Sequence, residues 1–122
     1  MGEWEPELAE LRARGAMAEQ MGGVEKVARQ HDRGKLDVRQ RITALLDGRS
    51  FHEIGKIAGS ATYDGDGELL DLRASNFLFG RGRIDGRTVV VAADDFTVRG
   101  GAADAAIIGK QIAAEKMAGE LR

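Results

Sequence analysis

An Asp-Gly pair between two β-prone runs is the feature that most constrains the fold of this chain. Asp85-Gly86 joins the run Asn76–Ile84 to the apolar run Thr88–Ala93. A two-residue type I′ turn needs positive φ at both central positions, and Asp-Gly supplies this. Farther on, Gly100-Gly101 interrupts the strand, and Ala102–Leu121 contains good helix formers without proline. This part of the chain therefore predicts strand, tight turn, strand, glycine hinge and helix.

The first part of the chain carries helical patterns. Helices are predicted over Glu5–Met21, ended by Gly22-Gly23, and over Val24–Gln30, followed by a polar loop. A third is predicted over Val38–Leu46, where Asp37 and Gln40 form a variant of the capping box. Its inward-facing residues are expected to be Val38, Ile42, Leu45 and Leu46.

Short extended segments are expected between the helices and the hairpin. Ser50–Ile57 and Leu69–Ser75 are predicted as strands, separated by the turn-rich loop Tyr63–Glu68. The apolar run Thr88–Ala93 does not alternate, which predicts a strand covered on both faces. The chain is thus expected to be one incomplete α+β domain, residues 1–122. It combines a helical segment, residues 1–48, with strands, hairpin and helix, residues 49–122.

Composition excludes several classes of protein. The chain has 122 residues, of which 43% are hydrophobic and 31% charged, and no apolar run could span a bilayer. Its acidic start lacks the features of a signal peptide, so a cytoplasmic location without membrane contact is expected. The absence of cysteine excludes disulfides, zinc-thiolate sites and a cysteine nucleophile. A net charge of −2 argues against a nucleic-acid partner.

A basic cluster is the first candidate binding site. Its side chains could bind the phosphates of a nucleotide-bearing cofactor, since arginine and lysine recognise phosphate by fork and point charge. Nearby acids could equally neutralise them, which would leave a solvated, internally paired face. The cluster consists of Arg29, Arg33, Lys35, Arg39 and Arg41.

The glycine pair is the second candidate. A helix beginning after Gly100-Gly101 would expose backbone amides and favour an anion there. The sequence is neither a GxGxxG motif nor a P-loop, so a close-packing hinge is the alternative interpretation.

Acidic residues and histidines give no catalytic or metal site. Asp64, Asp66 and Glu68 alternate as calcium ligands do, but without the full EF-hand pattern an ordinary exposed turn is favoured. Asp94 and Asp95 are adjacent on a strand and point to opposite faces, so one is expected to cap the following turn. His31 and His52 belong to no recognisable triad. The residues alone establish no catalytic centre.

Two blocks of sequence resemble a known family. The first is Ala28–Leu36 with Arg39–Ile42, Leu45–Asp47 and Ser50–Glu53, and the second is Gly80–Gly101 with its Arg-Ile-Asp-Gly-Arg hairpin and Asp-Phe-Thr-Val. Together they resemble the carboxyltransferase (β) subunits of biotin-dependent acyl-CoA carboxylases, of the propionyl-CoA and methylmalonyl-CoA type. The resemblance covers most of the chain from Val24 onward.

The resemblance implies a fold, a reaction and partners. The fold would be the N-terminal part of a crotonase-like fold, with the hairpin and last helix as its first ββα unit. The reaction would transfer a carboxyl group from carboxybiotin, on a carrier protein or biotin carboxylase subunit, to the α-carbon of an acyl-CoA. Backbone amides beyond Arg122 would stabilise the oxyanions. Contacts to the CoA phosphates are expected from Arg33, Lys35, Arg39, Arg41, Gly100 and Gly101, and no catalytic residue is assigned.

Other functions stay open. A segment of this kind would be inactive alone and would seek the rest of the carboxyltransferase or another copy, so a homo-oligomer is expected. The alternatives are a non-catalytic interaction module derived from the same family and a small nucleotide- or phosphate-binding protein using Gly100-Gly101.

Overall fold

Helices come first along the chain, and strands with a final helix follow. The computed structural model describes residues 2–102 and 106–121. Within these residues no helix is both long and apolar enough to cross a membrane. The elements in chain order are α1 (Glu5–Glu19), α2 (Val24–Asp32), α3 (Val38–Leu45), β1 (His52–Ile54), β2 (Gly59–Tyr63), β3 (Leu69–Ala74), β4 (Phe77–Ile84), β5 (Arg87–Asp94), a 3₁₀ turn (Arg99–Gly101) and α4 (Ile108–Leu121).

The predicted Asp-Gly hairpin is confirmed. Strands β4 and β5 pair antiparallel, and the pair Ile84 and Arg87 closes the ladder at the turn. Asp85 and Gly86 have φ of 50° and 80°, as a type I′ turn requires. The Asp47 carboxylate accepts from both turn amides, at 2.9 Å from Asp85 N and 2.8 Å from Gly86 N. The residue just past α3 therefore holds the tip of the hairpin.

Two antiparallel sheets form around this hairpin. One has the strand order β1-β4-β5, and the other is the two-stranded ribbon β2-β3. Gly80 in the middle of β4 lets β1 approach, because a Cβ atom there would lie 2.2 Å from the carbonyl oxygen of His52. Among the described residues β5 pairs with β4 alone, so its other edge is open.

The core lies where α3 and the end of α1 meet the sheets. The capping box is confirmed, because Gln40 N donates to Asp37 Oδ1 and Asp37 N donates to Gln40 Oε1, each at 2.9 Å. It starts α3 with Val38 and Ile42 facing inward. The buried apolar residues form two clusters, one of Met21, Val38, Ile42, Leu46 and Leu78, the other of Ala18, Leu72 and Ala74.

The last helix begins later than predicted. Ala102 is extended (φ −63°, ψ 143°), and α4 starts at Ile108. The Asn76 side-chain amide donates to the Ala102 carbonyl at 2.7 Å and so fixes this residue outside a helix. The predicted helical residues 103–105 lie outside the described residues.

One prediction about burial is wrong, and a second holds only in part. Leu45 is 54% exposed, because α3 ends there and the extended Leu46 takes the inward position instead. Strand β5 packs against both α3 and α4, but among the described residues this cover is incomplete. Its valines, Val89, Val90 and Val91, are only half-buried, since β5 lies at the edge of its sheet.

Two predicted boundaries also shift. The strand predicted over Ser50–Ile57 shrinks to His52–Ile54, because Gly55 turns the chain with φ of 70°. Helix α2 runs two residues beyond Gln30, so His31 and Asp32 are helical rather than part of the polar loop.

Candidate anion-binding site

A cleft lined by cations lies between α2, the end of β3 and the segment that follows β5. It consists of two depressions of 360 and 190 Å³ that share Lys26. No acidic residue is found among the described residues that line them. We call this the basic cleft, and its charged residues are Lys26, Arg29, Arg33, Arg73 and Arg99.

Helix α2 supplies one wall. Lys26, Arg29 and Arg33 are exposed and follow one another at helical spacing, so they share one side of the helix and its C-terminal end. Arg29 and Arg33 belong to the cluster predicted from the sequence, whereas Lys26 does not. The spacing of 3 and 4 residues was the signal that could have identified it.

The segment after β5 supplies the opposite wall. Phe96, which is 59% exposed, lines the smaller depression beside Gly100. Arg99 lines the larger depression and has φ of 53°, a left-handed conformation that residues other than glycine rarely adopt. Such backbone conformations concentrate at binding sites, and nothing local in the sequence around Arg99 signalled this one.

The structure brings only part of the predicted site together. Arg33 and Gly100 line the same depression, whereas Lys35, Arg41 and Gly101 are not among the lining residues. The Arg39 guanidinium instead donates to both carboxylate oxygens of Glu53, at 2.7 and 3.2 Å. An internally paired face, the alternative interpretation, therefore holds for Arg39.

The glycine pair does not open a helix. Gly100 and Gly101 have φ of 58° and 78° and end a 3₁₀ turn, and α4 begins at Ile108. The interpretation based on a helix N-terminus directly after the pair is therefore wrong. Gly100 reaches the cleft through its backbone.

Buried polar groups lie behind the wall formed by residues 96–100. Asn76, Asp95 and Thr97 are 1%, 1% and 5% exposed. Asp95 Oδ1 accepts from Thr97 N at 2.9 Å and from Thr97 Oγ1 at 2.6 Å. Burial raises the pKa of Asp95, although the two bonds from Thr97 oppose this by favouring the carboxylate. As predicted, one of the two adjacent aspartates caps the turn: it is the buried Asp95, whereas Asp94 is exposed.

A buried lysine lies behind the larger depression. Lys110 is 6% exposed, and its Nζ donates at 3.3 Å to the hydroxyl of Ser75, which lines the cleft. Burial lowers the pKa of Lys110, and the nearby Glu53 carboxylate opposes that shift. Lys110 was not predicted as a site residue from the sequence, because helical spacing alone does not reveal a buried amine.

The turn-rich loop has the geometry of an ordinary turn. Asp64 Oδ1 accepts from Asp66 N at 2.8 Å and from Glu68 N at 3.0 Å. Such bonds to the following amides are typical of an Asx turn. Across residues 2–102 and 106–121 no group of three or more potential ligands could hold a metal ion.

A solved structure has the same fold. The chain is 35% identical to transcarboxylase 12S, with a TM-score of 0.70 over 84% of this chain and 20% of that one. That protein was solved as a hexamer assembly with methylmalonyl-coenzyme A and methylmalonic acid bound. The similarity confirms the predicted α+β, crotonase-like fold.

Sequence comparisons agree with the fold. The chain is 38% identical over 97 residues to the propionyl-CoA carboxylase carboxyltransferase subunit of Haloferax mediterranei, which covers 80% of this chain and 19% of the relative. It is 45% identical over 85 residues to a putative propionyl-CoA carboxylase beta chain of Bacillus subtilis, and this match covers 70% of this chain and 16% of the relative. The chain thus spans about a fifth of the length of these relatives. The model of the carboxyl transferase domain matches residues 29–122, so the chain belongs to the carboxyl transferase domain family.

Proposed function

We propose that the chain is the N-terminal segment of a biotin-dependent acyl-CoA carboxyltransferase and that its basic cleft binds the phosphates of the acyl-CoA. The observation that carries this proposal is the lining of the cleft, which has five cations and no carboxylate among its described residues. Relatives named for propionyl-CoA and methylmalonyl-CoA support the choice of substrate class.

The chemistry of the cleft suits coenzyme A better than a simple anion. Coenzyme A carries a ribose phosphate and a diphosphate, and each can accept the forked donors of an arginine. Lys26 belongs to both depressions and can therefore contact either phosphate group. The exposed ring of Phe96 offers a flat apolar surface beside these cations, on which an adenine can stack.

In the proposed reaction this segment binds and orients the CoA end of the substrate. Carboxybiotin, attached to a carrier protein or biotin carboxylase subunit, would supply the carboxyl group that is transferred to the α-carbon. We assign no described residue to the proton transfer or to the stabilisation of the enolate. We assign those steps to the remainder of the carboxyltransferase, in line with the resemblance of the sequence.

Charge removal at the cleft tests the proposal. In the double variant Lys26→Gln/Arg33→Gln the dissociation constant of CoA, measured by isothermal titration calorimetry on the 122-residue chain, should rise by about tenfold or more. Wild-type affinity should fall with added salt, and dephospho-CoA should bind more weakly than CoA.

Two further variants act as comparisons. Arg87→Gln/Lys116→Gln removes the same two charge types from exposed positions outside the cleft and should change the affinity less than about twofold. Lys35→Gln/Arg41→Gln tests the rest of the sequence-predicted cluster and should also have a small effect. Equal losses in all three double variants, or none in Lys26→Gln/Arg33→Gln, would contradict the proposed site.

An interaction module is the second candidate, and one observation favours it. Among the described residues β5 has an open edge, and Ile108 and Ile112 on α4 are exposed, so these features could bind the rest of the enzyme or another copy. The assay that separates the two is carboxyl transfer to biotin after the remaining segment is supplied. Activity that depends on this chain and falls in Lys26→Gln/Arg33→Gln supports the enzyme.

A further inference from the structure

The two walls of the smaller depression come from distant parts of the sequence. Lys26, Arg29 and Arg33 belong to α2, and Phe96, Thr97 and Gly100 follow β5. Any ligand that contacts both walls depends on the distance between them. The contacts that fix this distance therefore affect binding.

A side-chain hydrogen bond joins these walls just before α2 begins. Gly22 N, two residues before α2, donates to Thr97 Oγ1 at 3.0 Å in a buried position. The same hydroxyl donates to Asp95 Oδ1 at 2.6 Å, so it accepts one bond and donates another. Because both bonds are directional, the hydroxyl has one favoured orientation between the walls.

The backbones are also in close contact at this point. A Cβ atom on Gly22 would lie 1.8 Å from the carbonyl oxygen of Thr97. Only glycine therefore permits the approach that the hydrogen bond requires. The contact and the bond together fix the start of α2 against residue 97.

The wall formed by residues 96–100 is anchored on its other side as well. Asp95 N donates to the Asn76 carbonyl at 2.7 Å, and Asn76 Nδ2 donates to Ala102 O at 2.7 Å and to Val98 O at 3.4 Å. Satisfied buried polar groups of this kind specify one conformation of a segment. The hydroxyl of Thr97 links this network to Gly22, just before α2.

We propose that Thr97 is a positioning residue, whose hydroxyl, oriented by Asp95, fixes the width of the basic cleft and so its affinity for the phosphates of coenzyme A. This inference depends on the proposed function, because it assumes that coenzyme A contacts both walls. Thr97 acts through the placement of the cations on α2 and does not itself need to touch the ligand.

The test compares two substitutions of Thr97 in the 122-residue chain. Thr97→Val keeps the shape of the side chain but removes the hydroxyl, whereas Thr97→Ser keeps the hydroxyl. Thr97→Val should raise the dissociation constant of CoA by about tenfold and speed hydrogen exchange of the Gly22 amide by a similar factor. Thr97→Ser should stay within about twofold of the wild type in both measurements. Thr97→Ala replaces Thr97→Val if thermal unfolding shows that the valine variant is not folded at the assay temperature.

The outcomes separate the two proposals. If the wild type binds CoA, Lys26→Gln/Arg33→Gln weakens binding, and Thr97→Val binds as Thr97→Ser does, only the positioning role is overturned. If the wild type does not bind CoA, or if the cleft variant binds as tightly as the wild type, the proposed function fails and the positioning role fails with it.

Discussion

Breaking the ion pair between Arg39 and Glu53 should destabilise the fold more than the loss of an exposed pair. The guanidinium makes two charge-assisted bonds to the carboxylate, and the side chains are only 22% and 10% exposed. Removal of one partner from a fully buried pair costs about 3–5 kcal/mol. Because this pair is partly solvated, we expect about 3 kcal/mol for Arg39→Met, which leaves the Glu53 carboxylate poorly hydrated. Glu53→Gln should cost about 2 kcal/mol, because its amide oxygen still accepts one bond.

A double-mutant cycle measures the pair itself. Urea unfolding followed by circular dichroism at pH about 7 gives the free energy of unfolding for the wild type, both single variants and the double variant. The coupling energy should be about 2 kcal/mol and should persist in high salt, because burial limits screening. A coupling energy below about 0.5 kcal/mol would show that the pair behaves like an exposed one.

The same variants test whether Arg39 belongs to the binding site. The arginine is engaged by Glu53, so CoA affinity corrected for the folded fraction should be nearly the same in Arg39→Met as in the wild type. A loss of affinity as large as that of Lys26→Gln/Arg33→Gln would show instead that Arg39 contacts the ligand.

Three further predictions concern titration and close packing. The backbone amides of Gly86 and Asp85 lower the pKa of Asp47. The contribution of Asp47 to stability should therefore be present above the unfolded-chain pKa of about 3.9 and lost as the pH falls through the lower folded pKa. Asp47→Asn should remove this part of the acid dependence of the urea midpoint. The pH dependence of the Asp95 contribution has the opposite sign, because burial raises the pKa of Asp95. Its contribution to stability is full below about pH 3.9 and declines as the pH rises through the folded pKa. Asp95→Asn should therefore match or exceed the wild-type stability at pH about 7 and flatten this dependence, and a clear loss of stability at that pH would contradict the reasoning. Gly22→Ala should lower the free energy of unfolding by more than about 2 kcal/mol, because its Cβ atom would lie 1.8 Å from the carbonyl oxygen of Thr97. Gly119→Ala on α4 is the control, since a Cβ atom there meets nothing within 4 Å. It should be neutral or stabilising by up to about 1 kcal/mol in the same unfolding assay.

Sequence reasoning worked best where one local rule decides the conformation. The Asp85-Gly86 turn and the Asp37 capping box were predictable, because each depends on a few neighbouring residues. The exposure of Leu45 and the half-burial of β5 were not, because they depend on which elements cover a face. Ala102 is extended because of a bond from Asn76, which is 26 residues away. Local propensity contains no information about such a bond.

The candidate site was predictable only in part, for the same reason. The basic character of residues 29–41 was visible, and Arg33 with Gly100 does line one depression. The sequence did not show which of these cations line the cleft and which are paired elsewhere, since the partner of Arg39, Glu53, lies on β1. Arg73 joins the cleft from β3, which only the tertiary fold reveals. Thr97 and Gly22 meet across 75 positions of sequence.

The half-buried valines of β5 affect how the chain behaves when it is purified on its own. Within the described residues one edge of this strand has no hydrogen-bonded neighbour, and the unpaired backbone groups of such an edge can bind further strands. Concentrated solutions of the polypeptide should therefore become turbid and bind amyloid-sensitive dyes. A short synthetic peptide that pairs with this open edge of β5 should keep the same solutions clear.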